Sequence, residues 1–255
     1  MDYRDIRFIP KGNAVHNLYT EKTGLRIPPV KSGPKYKYLT FTAEQANSTI
    51  GYTSSLTTPP VIYKSTDGEN WTTWDGTSET LEKVGDYIYV CGENDALGSF
   101  NLACTTFNMT GLIAASGDAT TLLTPDGTDT LTHRFALPGL FSGCESLTKA
   151  PELPATTLAM DCYSGMFSGC IRLTDAPLLP AKDASVAYCY SGMFFNCRSL
   201  SHIKVLAERW STLYVTSNNW VHGVSSSGVF EKPAALDLEV DGNGGIPTNW
   251  TIVNL

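Results

Sequence analysis

Cysteine is the residue type in this chain that most invites a chemical reading. Seven occur, at 91, 104, 144, 162, 170, 189 and 197. Thiols ligate zinc, pair as disulfides or attack as nucleophiles, and spacing separates these roles. No C-x-x-C is present and no Cys/His set stands at zinc spacing, so neither a metal nor any other cofactor is expected. Cys91 and Cys104 can pair if two strands bring them together. An odd total with no framework spacing suits reduced thiols. Five of the seven fall into two ladders: Cys144, Cys170 and Cys197, and Cys162 with Cys189. A cysteine that recurs in this way reads as a small apolar side chain in a tight turn or packed helix.

The other chemistry-bearing residues are scattered. His16, His133, His202 and His222 have no Ser, Cys or carboxylate partner at a diagnostic spacing. The chain has neither G-x-x-x-x-G-K nor G-x-G-x-x-G before a helix. Gly223-Val-Ser-Ser-Ser-Gly228 lacks the spacing and the apolar strand of a nucleophile elbow. Ser65-Thr-Asp67-Gly68-Glu-Asn-Trp71 approximates the Asp-box of sialidase-type propellers, one position short. It reads better as a β-hairpin whose Trp covers a core. Asp237, Glu239, Asp241 and Asn243 crowd near a turn, but without the EF-hand order a solvated acidic loop is the better reading. No catalytic residues emerge, and an enzyme is not expected.

The elements that carry these residues are organised by a repeat. Phe141, Phe167 and Phe194 form one column, the three-cysteine ladder a second, and Leu147, Leu173 and Leu200 a third. The spacing is 26 and then 27 in each column, a period typical of solenoids. Leu147–Pro154 returns as Leu173–Pro180, and Pro151 and Pro177 make both extended. Tyr163–Phe167 and Tyr190–Phe194 place apolar residues at i, i+3 and i+4, which predicts a short helix in each unit.

Three regions follow. Residues 1–35 form an extended basic arm interrupted by Pro28-Pro29 and Gly33-Pro34. Residues 36–116 read as a β-sandwich, with strands at Tyr36–Thr42, Val61–Lys64, Trp71–Trp74, Tyr87–Cys91 and Cys104–Met109. Residues 117–255 read as the repeat region with N- and C-terminal caps, closed by strands at Gly228–Phe230 and Trp250–Val253. The expected fold class is mainly β with short helices: an N-terminal β-sandwich followed by a short capped leucine-rich-repeat (α/β) solenoid.

Bulk properties narrow the partners. Hydrophobic residues make up 42% of the 255, ample for a core. Residues 1–37 carry eight Lys/Arg against Asp2, Asp5 and Glu21. That surplus of five leaves −12 on the remainder of a chain whose net charge is −7. A basic arm on an acidic body suits docking on an acidic surface, and the body is not expected to bind nucleic acid. No run of about 18 apolar residues exists, so membrane insertion is not expected. The opening stretch, Met1 to Val30, lacks an apolar h-region, so no secretory signal is expected within it.

The blocks G-M-F-x-G-C-x-x-L-T-x-A-P-x-L-P-A (165–181, with a variant from Gly139) resemble BspA-like leucine-rich repeats, as does the ending Trp220–Asn254. The resemblance covers about residues 137–255. Tyr38–Phe41, Tyr63–Trp71 and Phe107–Gly111 look like the β-domain that often precedes such repeats. The resemblance implies proteins of gut Bacteroidales and their phages, associated with surface adhesion and recognition. Two full repeats are few for a large concave binding surface.

The expected function is therefore a phage virion decoration protein on the virion exterior. Its arm, through Arg4, Arg7, Phe8 and Lys11, would anchor it to other virion proteins. Its repeat module would meet a host surface protein or glycan. The alternative is a bacterial cell-surface or secreted, extracellular adhesin with the same domains; a glycan-active enzyme is a third class. A homo-oligomer is left open. Partner contacts are expected at residues that differ between units: Lys149, Asp175 and His202, and Glu152, Leu178 and Val205.

Overall fold

The computed structural model describes residues 38–210 and 219–255. The anchor residues Arg4, Arg7, Phe8 and Lys11 lie outside them. The described chain is mainly β. Its strands are β1 (Leu39–Ala43), β2 (Ser48–Ser54), β3 (Ile62–Ser65), β4 (Thr72–Thr73), β5 (Glu79–Leu81), β6 (Tyr87–Gly92), β7 (Thr105–Thr110) and β8 (Ile113–Ser116). They continue as β9 (Leu147–Lys149), β10 (Asp183–Ala184), β11 (His202–Lys204), β12 (Arg209–Trp210), β13 (Val229–Lys232) and β14 (Thr251–Asn254).

Two sheets dominate the N-terminal part, in the orders β4-β3-β6-β1-β8-β9 and β5-β2-β7. In β1, LTFTA buries alternate residues, as a strand with one core face must. Phe41 from the first sheet meets Phe107 from the second at 4.7 Å between ring centroids. Tyr52 lies edge-on to Trp74 and donates its hydroxyl to the Trp74 carbonyl. Lys64 of β3 forms an ion pair with Glu79 of β5 and so links the two sheets at their margin. The hairpin expected at Asp67-Gly68 is present, with Lys64 opposite Thr72 and Gly68 at φ +76°.

The division expected at 116/117 is crossed by hydrogen bonds. β9, at the start of the first repeat unit, pairs parallel with β8 and becomes the sixth strand of the larger sheet. The Phe141 ring lies 6.2 Å from that of Phe41 and 5.4 Å from that of Phe107. One buried apolar cluster therefore extends from Leu39 to Trp250.

The repeat units lie one against the next. Phe141 stacks on Phe167 at 5.3 Å with ring planes 6° apart, and Phe167 on Phe194 at 5.7 Å and 7°. Such pairs contribute roughly 0.5–1.5 kcal/mol beyond the burial of the rings. Tyr163 and Tyr190 stack likewise, 6.1 Å apart.

The short helices expected at Tyr163–Phe167 and Tyr190–Phe194 do not form. Among the described residues the only helical element is a 3-10 turn at Ala119–Leu122, capped by the Asp118 side chain. Each predicted helix is a ribbon of four-residue turns. Ser164, Met166, Ser168 and Cys170 donate their N–H groups three positions back. The alternate residues Tyr163, Gly165, Phe167 and Gly169 donate instead to Cys189, Ser191, Met193 and Phe195 of the next unit, at 2.7–3.0 Å. Positive φ recurs at every fourth position, at Asp161, Gly165 and Gly169, and again at Tyr188, Gly192 and Asn196. A right-handed helix requires negative φ throughout, so these positions exclude it. The spacing misled because a four-residue ribbon also returns side chains to one face at i and i+4.

The extended halves of the units are also offset. Asp175 bridges His202, an interval of 27, whereas Leu179 bridges Val205, an interval of 26. Unit two therefore holds one extra residue between these bridges, at Ala176-Pro177. Proline has no N–H to give the ladder, and the extra residue falls where Pro177 interrupts it. Unit three has no proline there and runs straight as β11.

Candidate functional site

The expected contact residues lie on the outer strand face of the repeat units and share no enclosed site. Lys149, Glu152 and Asp175 are exposed, and Leu178 is 45% exposed. Val205 is a correction. It is 0% exposed because the offset at Ala176-Pro177 places it beside the buried Leu179, not beside Leu178. The position that matches Leu178 is Lys204, whose carbonyl accepts the Leu179 N–H. Val205 is thus core and cannot reach a partner.

His202 stands at the centre of a charged row. Its Nδ1 is 3.2 Å from Asp175 Oδ1, and its Nε2 is 2.8 Å from Glu231 Oε1. Lys204 Nζ donates to the other Glu231 oxygen at 2.7 Å. These bonds from Lys204 and His202 hold the Glu231 carboxyl below its ordinary range. The two carboxylates address opposite ring nitrogens, so they do not converge on one point as metal ligands would. Among the described residues, no group of three or more His, Cys, Asp and Glu is placed to hold a metal ion.

Glu231 and Lys204 were not named from the sequence, although a signal existed. His202 to Val229 and Lys204 to Glu231 repeat the interval of 27, and both pairs are in register between β11 and β13. Further pairs link neighbouring units. Lys182 meets Glu208 at 2.9 Å, Arg209 pairs with Asp183 and Arg134 with Asp161.

The thiols are structural. All seven cysteines are free. Cys91 lies on β6 of the larger sheet while Cys104 precedes β7 of the smaller, so they do not pair. Three of the recurrent cysteines also form a ladder of hydrogen bonds, which periodicity did not foretell. Cys144, Cys170 and Cys197 donate their Sγ–H to the carbonyls of Phe107, Phe141 and Phe167, at 3.1, 3.1 and 2.9 Å. Burial pushes the Cys144, Cys162 and Cys197 thiols up to about 12. The thiolate is the nucleophilic form, so these groups are inert near neutral pH.

Asp67 is also occupied internally. Its Oδ1 accepts the N–H groups of Glu69 and Asn70 and the Ser65 hydroxyl, and its Oδ2 accepts from Asn70 Nδ2. These donors depress its carboxyl well below the usual range. Trp71 Nε1 donates to the Gly68 carbonyl and completes the turn. Asp241 behaves alike, with one oxygen accepting from the backbone of Asn243, Gly244 and Gly245. Both acidic turns hold themselves together.

A second exposed feature lies beside the first unit. Phe100 and Leu102 project from the turn between Gly98 and Cys104. The Arg134 guanidinium sits 5.0 Å from the Phe100 ring centre and 4.6 Å from that of Phe135. Aromatic and arginine side chains placed together are the usual anchors of protein contacts.

Among the described residues no helix is long and apolar enough to cross a membrane. No family model, curated protein or solved structure matches the chain.

Proposed function

We propose that the chain is a non-catalytic recognition module displayed on the outside of a phage particle. In this reading the basic arm 1–35 attaches it to other virion proteins. The packed sheets and a short capped leucine-rich-repeat solenoid face outward, toward a host surface protein or glycan. The resemblance of residues 137–255 to adhesion-associated repeats supports it, as does the concentration of positive charge before residue 38. The observation that carries it is a division of labour within each unit. Residues that recur, in the Phe, Cys and Leu columns, are buried, while Lys149, Glu152, Asp175 and Leu178, which differ, face solvent. A rigid frame with a changeable outer row suits recognition, because ordering costs are met on folding and not on binding.

The test combines binding with localisation. Serine at Lys149, Glu152, Asp175 and Leu178 together should weaken binding to host cells or glycans at least tenfold, with cooperative unfolding retained. Equal binding by this variant would remove the outer row from the proposal. Antibody against the chain should decorate intact virions, and deletion of 1–35 should abolish incorporation. Label on bacterial cells with none on particles would assign the chain to the adhesin class instead.

A further inference from the structure

The face of the larger sheet that turns away from the core carries a ridge and a shelf. On β6 the residues Ile88 and Val90 are buried, so Tyr87 and Tyr89 stand on the opposite face. Register gives each tyrosine a row of short neighbours. Tyr87 lies beside Thr42, Thr42 beside Ala114, and Ala114 beside Lys149 of β9. Tyr89 lies beside Thr40, and Thr40 beside Ser116. The four floor residues on β1 and β8 are all at least partly exposed, and three of them carry hydroxyls. Neighbouring strands stand ~4.8 Å apart, so the floor from β6 to β8 is about 10 Å wide.

The ridge is held in place from behind. The Tyr87 and Tyr89 rings lie 5.0 Å apart, Tyr38 lies 6.4 Å from Tyr89, and Trp71 lies 4.7 Å from Tyr38. Gly68 backs the Tyr89 ring, where an added Cβ would sit 3.6 Å from Cε2. The self-contained Asp67 turn thus braces the ridge, since it also fixes Trp71 through the Gly68 carbonyl. Tyr87 at the free end is 41% exposed. Tyrosine in such a setting offers rigid, amphipathic contact area at little cost in entropy.

Charge and chemistry select the occupant. Beyond residues 1–37 the chain carries −12, yet Lys149 is the sole charged residue in these two rows. An acidic polymer would be repelled by the body, and a basic partner would find more charge elsewhere. A tight protein contact draws on anchors seated in a desolvating pocket, and a floor of threonine, serine and alanine on one sheet face is shallow. The fitting ligand is uncharged, with an apolar face for the rings and hydroxyls for Thr40, Thr42 and Ser116. A sugar ring combines both: its C–H bonds make the apolar face, and its edge hydroxyls give and accept hydrogen bonds as Ser and Thr do. We infer that the shelf binds a neutral saccharide, its rings lying on the floor with their C–H faces against Tyr87 and Tyr89. The inference rests on the reading of the chain as a recognition module, and it places a saccharide site beside Lys149 at the start of the outer row.

Native gels cast with mannan, xylan or β-glucan test this on the full chain. At least one of these neutral polymers should retard it, while polygalacturonate, which is acidic, should not. Tyr87→Ala removes the exposed end of the ridge, and Ala114→Gln fills the floor without touching a ring. Each should raise the dissociation constant at least tenfold, with cooperative unfolding retained. No retardation in any neutral gel overturns the site, as does equal retardation of both variants and wild type, or stronger retardation by polygalacturonate. Host-cell binding that persists when no neutral polymer binds leaves the recognition reading standing, so the two failures separate. If Tyr87→Ala then abolishes that binding, the shelf belongs to a protein partner and the saccharide is overturned.

Discussion

Glu231 shows how a single side chain can tie units together and make their contact sensitive to acid. Its carboxylate accepts from Lys204 Nζ and lies 2.8 Å from His202 Nε2, and its folded-state pKa lies below the ordinary value of 4.5. A group with a depressed folded pKa adds stability that is complete above its unfolded pKa. That stability is lost as pH falls through the lower, folded value. Glu231→Gln should therefore lower the urea midpoint at neutral pH and flatten its fall on the acid side. The check is a set of urea titrations from neutral pH into the acid range, wild type beside variant; parallel curves would count against the role. The same scale explains why Asp175 and His202 were visible from the sequence and Glu231 was not. The former pair falls inside the conspicuous repeat blocks. Glu231 lies on a closing strand whose neighbours no longer carry the Phe, Cys and Leu columns.

At the scale of the element, the turn ribbon stands on backbone geometry. Gly165 has φ +64°, and a Cβ added there meets nothing within 4 Å. Substitution at this residue thus isolates conformational cost from crowding. Gly165→Ala should lose about 1–2 kcal/mol, the cost of a left-handed backbone for an ordinary L-residue. Gly165→Asn should lose less, since asparagine tolerates that region and Asn196 already occupies the matching position one unit on from Gly169. Chemical denaturation of the two variants checks the order; an equal loss would contradict it. This element also marks what the sequence made legible. The core columns at Phe141, Phe167 and Phe194 could be read directly, because burial follows from recurrence of large apolar types. Hydrophobic spacing could not separate a four-residue ribbon from a helix, and the recurrence of Gly-x-x-x-Gly carried the decisive information. Val205 was misplaced for a related reason. Alignment by residue type cannot see a one-residue bulge that is present in one unit and absent from the next.

For the whole molecule, the pairing of β8 with β9 and the contact of Phe141 with Phe41 and Phe107 join the sheets and the repeat units into one core. Heat should unfold the chain in a single calorimetric transition with equal calorimetric and van't Hoff enthalpies. Residues 117–255 expressed alone should lose cooperative unfolding, because β9 then presents an unpaired edge and Phe141 an uncovered ring. Two separated transitions, or an independently cooperative fragment, would refute this. The sequence announced a change of style near residue 117 because the lead-in to the repeats starts there. Hydrogen bonds across that point leave no compositional trace. The alternation of donors in the turn ribbon has a further consequence, for how such a chain can change length. Each unit hands every second N–H to its successor and receives the same from its predecessor. A gene duplication that copies whole units leaves every ribbon donor with an acceptor, while one that breaks off within the ribbon strands several in the core. Descendants of this chain can therefore grow or shrink in whole units, and variation in reach is quantised by a bonding pattern, not by selection on any one residue.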